Sequence, residues 1–259
     1  MLNAAFAELG LDWVYVALEV GEGRGGPAVE AVRTLALEGL SVTMPHKAAA
    51  AAAVDQLSPE ARALGAVNVV SRRGEVLHGH NTDGPGLLDA LAEDAGFAPE
   101  GCRALVVGAG GAARAVVLAL ATAGAREVVV ANRTPDRAAA AAALAPAVAR
   151  VGSAEEAGAV ELVVNATPVG SALGGGGSEP GFVVDPGRLG PGQVVAELAY
   201  HPPVTRLMVE ARARGATAVG GVGMLVHQAA RALALWTGEE PPVAAMRAAA
   251  EAALAARDR

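Results

Sequence analysis

The residues best suited to chemistry in this chain fall into two groups, one of side chains and one of glycines. The first comprises Thr43-Met44-Pro45-His46-Lys47, Asn68 and Asn81-Thr82-Asp83. A lysine ammonium can steady negative charge growing on an oxygen and deliver a proton to it. A neighbouring carboxylate would keep that ammonium charged and aimed. Spacing alone leaves the pair open. A lysine after a proline turn is commonly a surface residue, and Asp83 ahead of Gly84-Pro85 also fits a turn or a helix N-cap.

The second group is Val106-Val107-Gly108-Ala109-Gly110-Gly111-Ala112-Ala113-Arg114, which matches G-x-G-x-x-A at Gly108, Gly110 and Ala113. An apolar run precedes it and a helical stretch follows. Gly108 permits the tight turn, Gly110 lets backbone approach a pyrophosphate, and Ala113 allows close helix–sheet packing. The helix start then offers free N–H groups and a partial positive charge. The plain alternative is a strand-to-helix turn that holds nothing. The next apolar run ends at Ala131-Asn132-Arg133-Thr134, with Asn132 24 residues beyond Gly108. A carboxylate near this point would hold the ribose hydroxyls of NAD. Arg133 puts a cation there instead, which suits the 2′-phosphate of NADP. A solvated loop arginine is the competing reading.

Along the chain, the elements alternate. Residues 3–10 read as a helix closing on glycine, 13–17 as a short strand, and 27–37 as a helix with proline at its start. A β-like run at 40–43 stops before Pro45. Runs at 67–70 and 76–79 flank Arg73-Gly74-Glu75 as a hairpin, and 84–95 returns to helix. A denser rhythm follows: strand 103–107, helix 113–122, strand 127–131, helix 135–149, strands 162–164 and 194–196, and helices 224–236 and 243–257. Residues 174–177, all glycine, read as a loop. Short apolar strands alternating with helices imply βαβ units and a parallel sheet covered on both faces. The expected fold is α/β with two domains. Residues 1–84 plus 222–259 form a mixed substrate domain, and 85–221 a doubly wound, Rossmann-type dinucleotide domain.

Composition narrows the classes. In 259 residues, 53% hydrophobic content against 18% charged excludes a disordered chain, and 3% aromatic content argues against an all-β protein. Twenty basic against 27 acidic residues give a net charge of −7, which carries no footprint for nucleic acid. The lone Cys102 cannot form an internal disulfide, and a cytoplasmic location is expected. His46, His78, His80, His201 and His227 lack metal-ligand spacing, so no metal site is expected. The longest uncharged apolar run, residues 115–125, lies between Arg114 and Arg126 and is too short to span a membrane. The N-terminus shows no basic segment ahead of an apolar one, so it does not read as a signal peptide. The alanine runs 48–53 and 138–143 are simply good helix formers. Glu239-Glu240 reads as a solvated connector, and Trp13 and Trp236 as core.

The ordered motifs resemble the shikimate dehydrogenase family over nearly the whole chain. They run through Val42-Thr43-Met44-Pro45-His46-Lys47, Gly65-Ala66-Val67-Asn68, Gly79-His80-Asn81-Thr82-Asp83-Gly84, the glycine loop and Asn132-Arg133-Thr134. They continue with Asn165-Ala166-Thr167-Pro168-Val169-Gly170, Tyr200-His201-Pro202-Pro203-Val204-Thr205, and Gly223 to Gln228 with its helix to Gly238. The resemblance implies that Lys47 and Asp83 are the catalytic pair and that Thr43, Asn68, Asp83, Tyr200 and Gln228 meet the substrate. It implies that Gly108, Ala109, Gly110, Gly111, Ala112, Asn132, Arg133, Thr134, Thr167 and Gly223 hold NADP. The implied reaction is reversible hydride transfer between NADPH and the C3 ketone of 3-dehydroshikimate. The alternatives are a relative acting on quinate, or a shortened chain that binds NADP with impaired turnover. A monomer or homodimer is expected, with a small molecule as partner. Two departures stand out. Ser41 occupies a place where many members carry Asn, and no Ser-x-Ser-Pro segment is present. The second leads to the expectation of a missing first strand and carboxylate clamp, and of weak shikimate binding.

Overall fold

The structure, a computed structural model, describes residues 1–170 and 181–257; the loop expected at 174–177 lies outside the described residues. The chain divides into two units. One is Met1–Asp83 with Gln228–Ala249, and the other is Gly84–His227 with the residues from Ala250 on.

In the first unit, α1 (Leu2–Glu8) buries Leu2, Ala5 and Phe6 at helical spacing, and Gly10 follows its end at φ +66°. Then come α2 (Gly25–Thr34), β1 (Gly39–Ser41), α3 (Lys47–Ala53) and β2 (Gln56–Leu57). Next is α4 (Pro59–Leu64), where the Ser58 hydroxyl accepts from the Ala61 N–H and Gly65 closes the helix in the left-handed region. The expected hairpin is present as β3 (Val69–Arg73) and β4 (Val76–His80), with Val69 opposite His80 and Arg73 opposite Val76. Gly74, at φ +61°, makes the turn. The sheet order is β1-β3-β4-β2, over a core that includes Val29, Val32, Ala61, Val67 and Leu77.

The expected strand at 13–17 does not form. The segment pairs with a side chain instead: Asn3 Nδ2 donates to the Tyr15 carbonyl at 2.9 Å and Asn3 Oδ1 accepts the Tyr15 N–H at 2.6 Å. The two-residue alternation survives without the ladder, since Trp13 and Tyr15 are partly buried while Val14 is 76% exposed. Trp13 meets Phe6 edge-on, and Trp236 sends its Nε1–H to the Val70 carbonyl. Both tryptophans are only partly buried and are not full core residues.

The second unit opens with α5 (Asp83–Ala95), β5 (Arg103–Val107), α6 (Gly111–Thr122), β6 (Glu127–Ala131), α7 (Pro135–Ala142) and β7 (Ala149–Val151). It continues with β8 (Leu162–Asn165), β9 (Val194–Glu197), α8 (Arg206–Ala213) and β10 (Thr217–Val219). Two helices follow in the chain and each is divided between the units, α9 (Gly221–Thr237) at His227/Gln228 and α10 (Val243–Arg257) at Ala249/Ala250. The six strands run parallel in the order β10-β9-β8-β5-β6-β7. Val106, Val128, Val164 and Ala196 join one apolar cluster with Leu87 and Leu120. Leu105, Val129, Val163 and Val195 join another with Leu207. Alternate residues thus feed cores on opposite faces, which is why these strands read as unbroken valine runs.

The helix expected over 135–149 ends at Ala142. Pro146 has no N–H and disfavours helix in the residue before it, so the chain leaves through i→i+3 bonds at Leu144 and Ala145. Ala149 then opens β7 on the edge of β6. The expected division at 221/222 also differs from the observed units. The first turns of α9 belong to the second unit, where a Cβ on Gly223 would lie 3.0 Å from the Ala90 side chain of α5. Among the described residues no helix is long and apolar enough to cross a membrane.

Candidate active site

In the first unit, three loop-to-element junctions meet. Lys47 is the first residue of α3, Asp83 the first of α5, and Asn68 directly precedes β3. Backbone bonds tie them: Val42 N–H to Asn68 O at 2.8 Å, Val67 N–H to Lys47 O at 2.9 Å and Asn68 N–H to His80 O at 3.0 Å. Lys47 Nζ donates to Asp83 Oδ2 at 2.6 Å, and Asn68 Nδ2 donates to Asp83 Oδ1 at 2.8 Å. Both carboxylate oxygens therefore have a donor. Asn68 Nδ2 also reaches Thr82 Oγ1 at 3.0 Å, and Asn68 Oδ1 accepts the Thr82 N–H at 2.8 Å, which fixes the amide orientation. The Asp83 side chain is 10% exposed and that of Lys47 23%, so the acid is enclosed and the lysine is the more accessible of the two. A short, hydrogen-bonded pair of this kind can hold a charged amine beside an oxygen that is gaining negative charge.

Gln228 joins this cluster through its backbone, whose carbonyl accepts the Thr82 hydroxyl at 3.0 Å, and its Oε1 lies 3.4 Å from Asn68 Nδ2. Thr43 is exposed and sends no side-chain bond into the cluster. Asn81 and Thr82, grouped with Asp83 in the sequence but assigned no role there, are built into the cluster. Thr82 links Asn68 to Gln228, while Asn81 accepts the Asp83 N–H at 3.2 Å and donates to the Ala66 carbonyl at 3.0 Å. The signal for them was a run of three polar residues entering a helix, all of them buried. The histidines have local partners: His46 with the Val20 carbonyl, His80 with Ser71, and His227 with Glu93. Burial holds the His80 imidazole below its usual pKa.

The second unit carries the glycine loop. Gly108 stands at φ +118°, and a Cβ there would lie 2.9 Å from the Ala166 carbonyl oxygen and 3.3 Å from Thr167 Cγ2. Only glycine fits. Gly110 is the N-cap of α6 and offers no side-chain cap, and a Cβ on Gly110 or Gly111 would meet nothing within 4 Å. The loop thus presents unclaimed N–H groups at a helix start with open space in front of them, which fits a pyrophosphate. Ala109 and Ala112 flank that space, and Ala113 is 0% exposed within the core. Beyond β6, Asn132 Nδ2 donates to the Thr134 carbonyl at 3.0 Å, and Thr134 caps α7 with its side chain unused. Arg133 is exposed, as is Arg137 in the first turn of α7. Arg137, a second guanidinium by this corner, was passed over because it reads as an ordinary helix-surface residue.

Thr167 is held by Asn165, whose Oδ1 accepts the Thr167 N–H at 3.0 Å and its hydroxyl at 2.7 Å. Asn165 in turn donates to Glu197, which burial pushes up to about 7. Tyr200 lies partly buried past the end of β9, and Gly223 is packed tightly on α5. Burial raises the Cys102 thiol to about 11, which makes it inert.

Comparison with known proteins matches three stretches of the chain to family models. Residues 1–70 match the shikimate dehydrogenase substrate binding domain, 90–167 shikimate / quinate 5-dehydrogenase, and 221–251 the shikimate 5′-dehydrogenase C-terminal domain. A shikimate dehydrogenase (NADP(+)) from Methanopyrus kandleri is 46% identical over 257 residues, spanning 95% of this chain and 88% of that protein. The crystal structure of shikimate 5-dehydrogenase from Thermus thermophilus in complex with NADP(H) and shikimate superposes with a TM-score of 0.89 at 38% identity, covering 98% of this chain and 93% of that one. Quinate dehydrogenase from Corynebacterium glutamicum in complex with NAD gives 0.87 at 31% identity, covering 97% and 92%. With near-complete coverage at this identity, the chain belongs to the shikimate dehydrogenase family.

Proposed function

We infer that this chain is an NADP-dependent shikimate dehydrogenase, interconverting 3-dehydroshikimate and shikimate. The observation that carries the reading is the Lys47–Asp83 pair at 2.6 Å, backed by Asn68 and more accessible on the lysine side. The names of its relatives and the ligands of its Thermus thermophilus neighbour support the same substrate and cofactor.

NADP supplies or accepts the hydride when bound. Gly108, Ala109, Gly110, Gly111 and Ala112 receive its pyrophosphate at the start of α6. Asn132, Arg133 and Thr134 take the 2′-phosphate, while Thr167 and Gly223 serve the nicotinamide end. In the reducing direction, the substrate C3 oxygen takes a proton from Lys47 Nζ as it gains negative charge. The resulting amine regains its proton from solvent. Asp83 Oδ2 aims the Lys47 Nζ, and Asn68 keeps Asp83 in place. Both Nδ2 hydrogens of Asn68 are occupied by Thr82 and Asp83, so its remaining capacity is a lone pair on Oδ1. Asn68 therefore accepts from a substrate hydroxyl. Thr43, Asp83, Tyr200 and Gln228 supply the other substrate contacts. Arg133, following β6 where a carboxylate would hold the ribose of NAD, favours NADP over NAD. A lone buried thiol suits a reducing, cytoplasmic setting, and a monomer or homodimer is the proposed state.

Steady-state rates with shikimate and with quinate, each against NADP and NAD, test the reading. The expected result is the highest kcat/KM for shikimate with NADP. A higher value for quinate with NAD would overturn it.

A further inference from the structure

A buried carboxylate at the end of the second sheet has no part in the chemistry above. Glu197 is the last residue of β9 and is 1% exposed. Its two oxygens serve different elements. Oε2 accepts from Asn165 Nδ2 at 2.8 Å, and Oε1 accepts from the Thr205 hydroxyl at 3.1 Å.

The Asn165 arm leads to the glycine loop. Asn165 Oδ1 accepts both the N–H and the hydroxyl of Thr167, and its Nδ2 also donates to the Val169 carbonyl at 3.1 Å. Thr167 Oγ1 closes the turn by accepting the Val169 N–H at 3.2 Å. The atoms that crowd Gly108 are the Ala166 carbonyl and the Thr167 methyl, so this turn is the wall against which the loop is built. An amide can face either way, and its neighbours decide which. The Thr167 N–H, which only donates, and the Val169 carbonyl, which only accepts, set the orientation of the Asn165 amide, and Glu197 Oε2 anchors its NH₂ from the β9 side. The Thr205 arm runs elsewhere. Thr205 caps α8, with its Oγ1 accepting the Met208 N–H at 3.3 Å.

We propose that Glu197 is a positioning residue for the cofactor: acting through Asn165, it fixes the 167–169 turn against Gly108 and so sets how tightly NADP binds. The inference rests on the NADP reading above. It separates the two arms of one carboxylate, because only the Asn165 arm bears on the cofactor.

The test is direct titration of NADP and, separately, of shikimate, with thermal stability measured alongside. Glu197→Leu cuts both arms and leaves no buried charge, and Asn165→Ala cuts the link from its other end. Each is expected to weaken NADP binding by roughly tenfold or more, the scale of one or two lost hydrogen bonds. Shikimate titrated alone should bind as in the parent. Thr205→Val is expected to lower Tm while leaving NADP affinity within about twofold, since it keeps the side-chain bulk beside Gly170 and removes only the hydroxyl's bonds to Glu197 and α8. Glu197→Gln keeps an acceptor for Asn165 and turns its NH₂ to Thr205, so it is expected to retain parental NADP affinity. A folded Glu197→Leu protein with parental NADP affinity would overturn the proposal. So would a Thr205→Val loss of NADP binding as large as that of Glu197→Leu, which would mean general loosening of the sheet end. Should Glu197→Leu fail to fold, parental affinity in Asn165→Ala overturns it equally. Failure of the parent chain to bind NADP would instead sink the functional reading along with this one.

Discussion

Around Lys47 the polar groups already engage one another, whereas around Gly110 they are left for something else to engage. Asp83 has donors on both oxygens, Asn68 uses both Nδ2 hydrogens, and Thr82 is bonded through its N–H and its hydroxyl. The start of α6 has no side-chain cap, Arg133 is exposed, and a side chain at Gly110 would project into open space. The contrast follows from the two tasks. A proton-transfer group must be held at one geometry through the reaction, so its partners are fixed in advance. A phosphate brings its own charge and oxygens, so the receiving groups can be backbone N–H and a few cations, provided nothing occupies their front. Substitutions should therefore act differently in the two regions: on turnover in the first and on cofactor affinity in the second.

The largest effect is expected at Lys47. Lys47→Ala removes charge that matters most as the substrate oxygen becomes negative, so turnover should fall by roughly 10²–10⁴-fold. KM for NADP should stay within about threefold, because the change touches uniform binding little. Asp83→Asn should also slow turnover, since the ammonium loses the charge that holds it. Steady-state kinetics decide the matter, and a Lys47→Ala enzyme with near-parental kcat would return Lys47 to the surface.

The glycine loop allows the comparison to be sharpened within four residues. Gly110→Ala adds a methyl where no protein atom lies, at an ordinary negative φ, so the fold should be unaffected. That methyl would stand where the pyrophosphate approaches. NADP affinity should drop by roughly 10- to 100-fold, the cost of an overpacked contact, with Tm unchanged. Gly108→Ala should lose Tm as well, since it combines a φ of +118° with a methyl 2.9 Å from a carbonyl oxygen. Equal loss of Tm in both variants would show that Gly110 is there for folding alone.

Much of this was legible in the sequence, and the misses have physical causes. The glycine spacing and valine runs give the parallel sheet directly, because a strand buried on both faces has no polar alternation to hide it. Residues 135–149 misled because alanine satisfies a helical pattern anywhere, while Pro146 and an available sheet edge took the segment over. Residues 13–17 have the composition and alternation of a strand, yet pairing is a non-local property that the segment itself does not encode. Lys47 and Asp83 were readable as a pair of types, but not the frame that joins them across 36 residues, which is set by non-local backbone bonds from Val42 to Asn68, Val67 to Lys47 and Asn68 to His80. Glu197 escaped because a buried polar side chain reads the same as a solvated one until its partners are placed.

Glu197 also makes a prediction about pH. Burial raises its pKa from the ordinary 4.5 to about 7, so between those values the folded chain binds the proton more tightly than the unfolded chain. Stability from this group is therefore fully present below pH 4.5 and is lost as pH rises through 7. At about 1.4 kcal/mol per pKa unit, the loss between roughly pH 5 and pH 8 should be about 2 kcal/mol. Glu197→Gln cannot titrate and should lack this slope. Its Tm relative to the parent should improve by roughly 5 °C on going from about pH 5 to pH 8. Parallel pH profiles for the two proteins would mean that Glu197 is ionised throughout.

The smallest effect concerns which cofactor the open end prefers. Arg133 follows β6 where a carboxylate would hold the ribose of NAD, and Asp136 and Arg137 are exposed in the first turn of α7. A guanidinium meeting a 2′-phosphate makes a charge-assisted bond worth roughly 1.5–3 kcal/mol when fully desolvated. Exposure reduces this, so Arg133→Ala should raise KM for NADP by only about tenfold. NAD has no phosphate at that position, and its KM should be unchanged. Because the interaction is between charges in water, the NADP penalty should also shrink as salt is raised, while a lost packing contact would not respond. Kinetics with both cofactors at low and high ionic strength read these two signatures together. Equal losses for NADP and NAD would mean that Arg133 supports the loop rather than the phosphate, and the line drawn between a side-chain site and a phosphate-receiving backbone would have to move past β6.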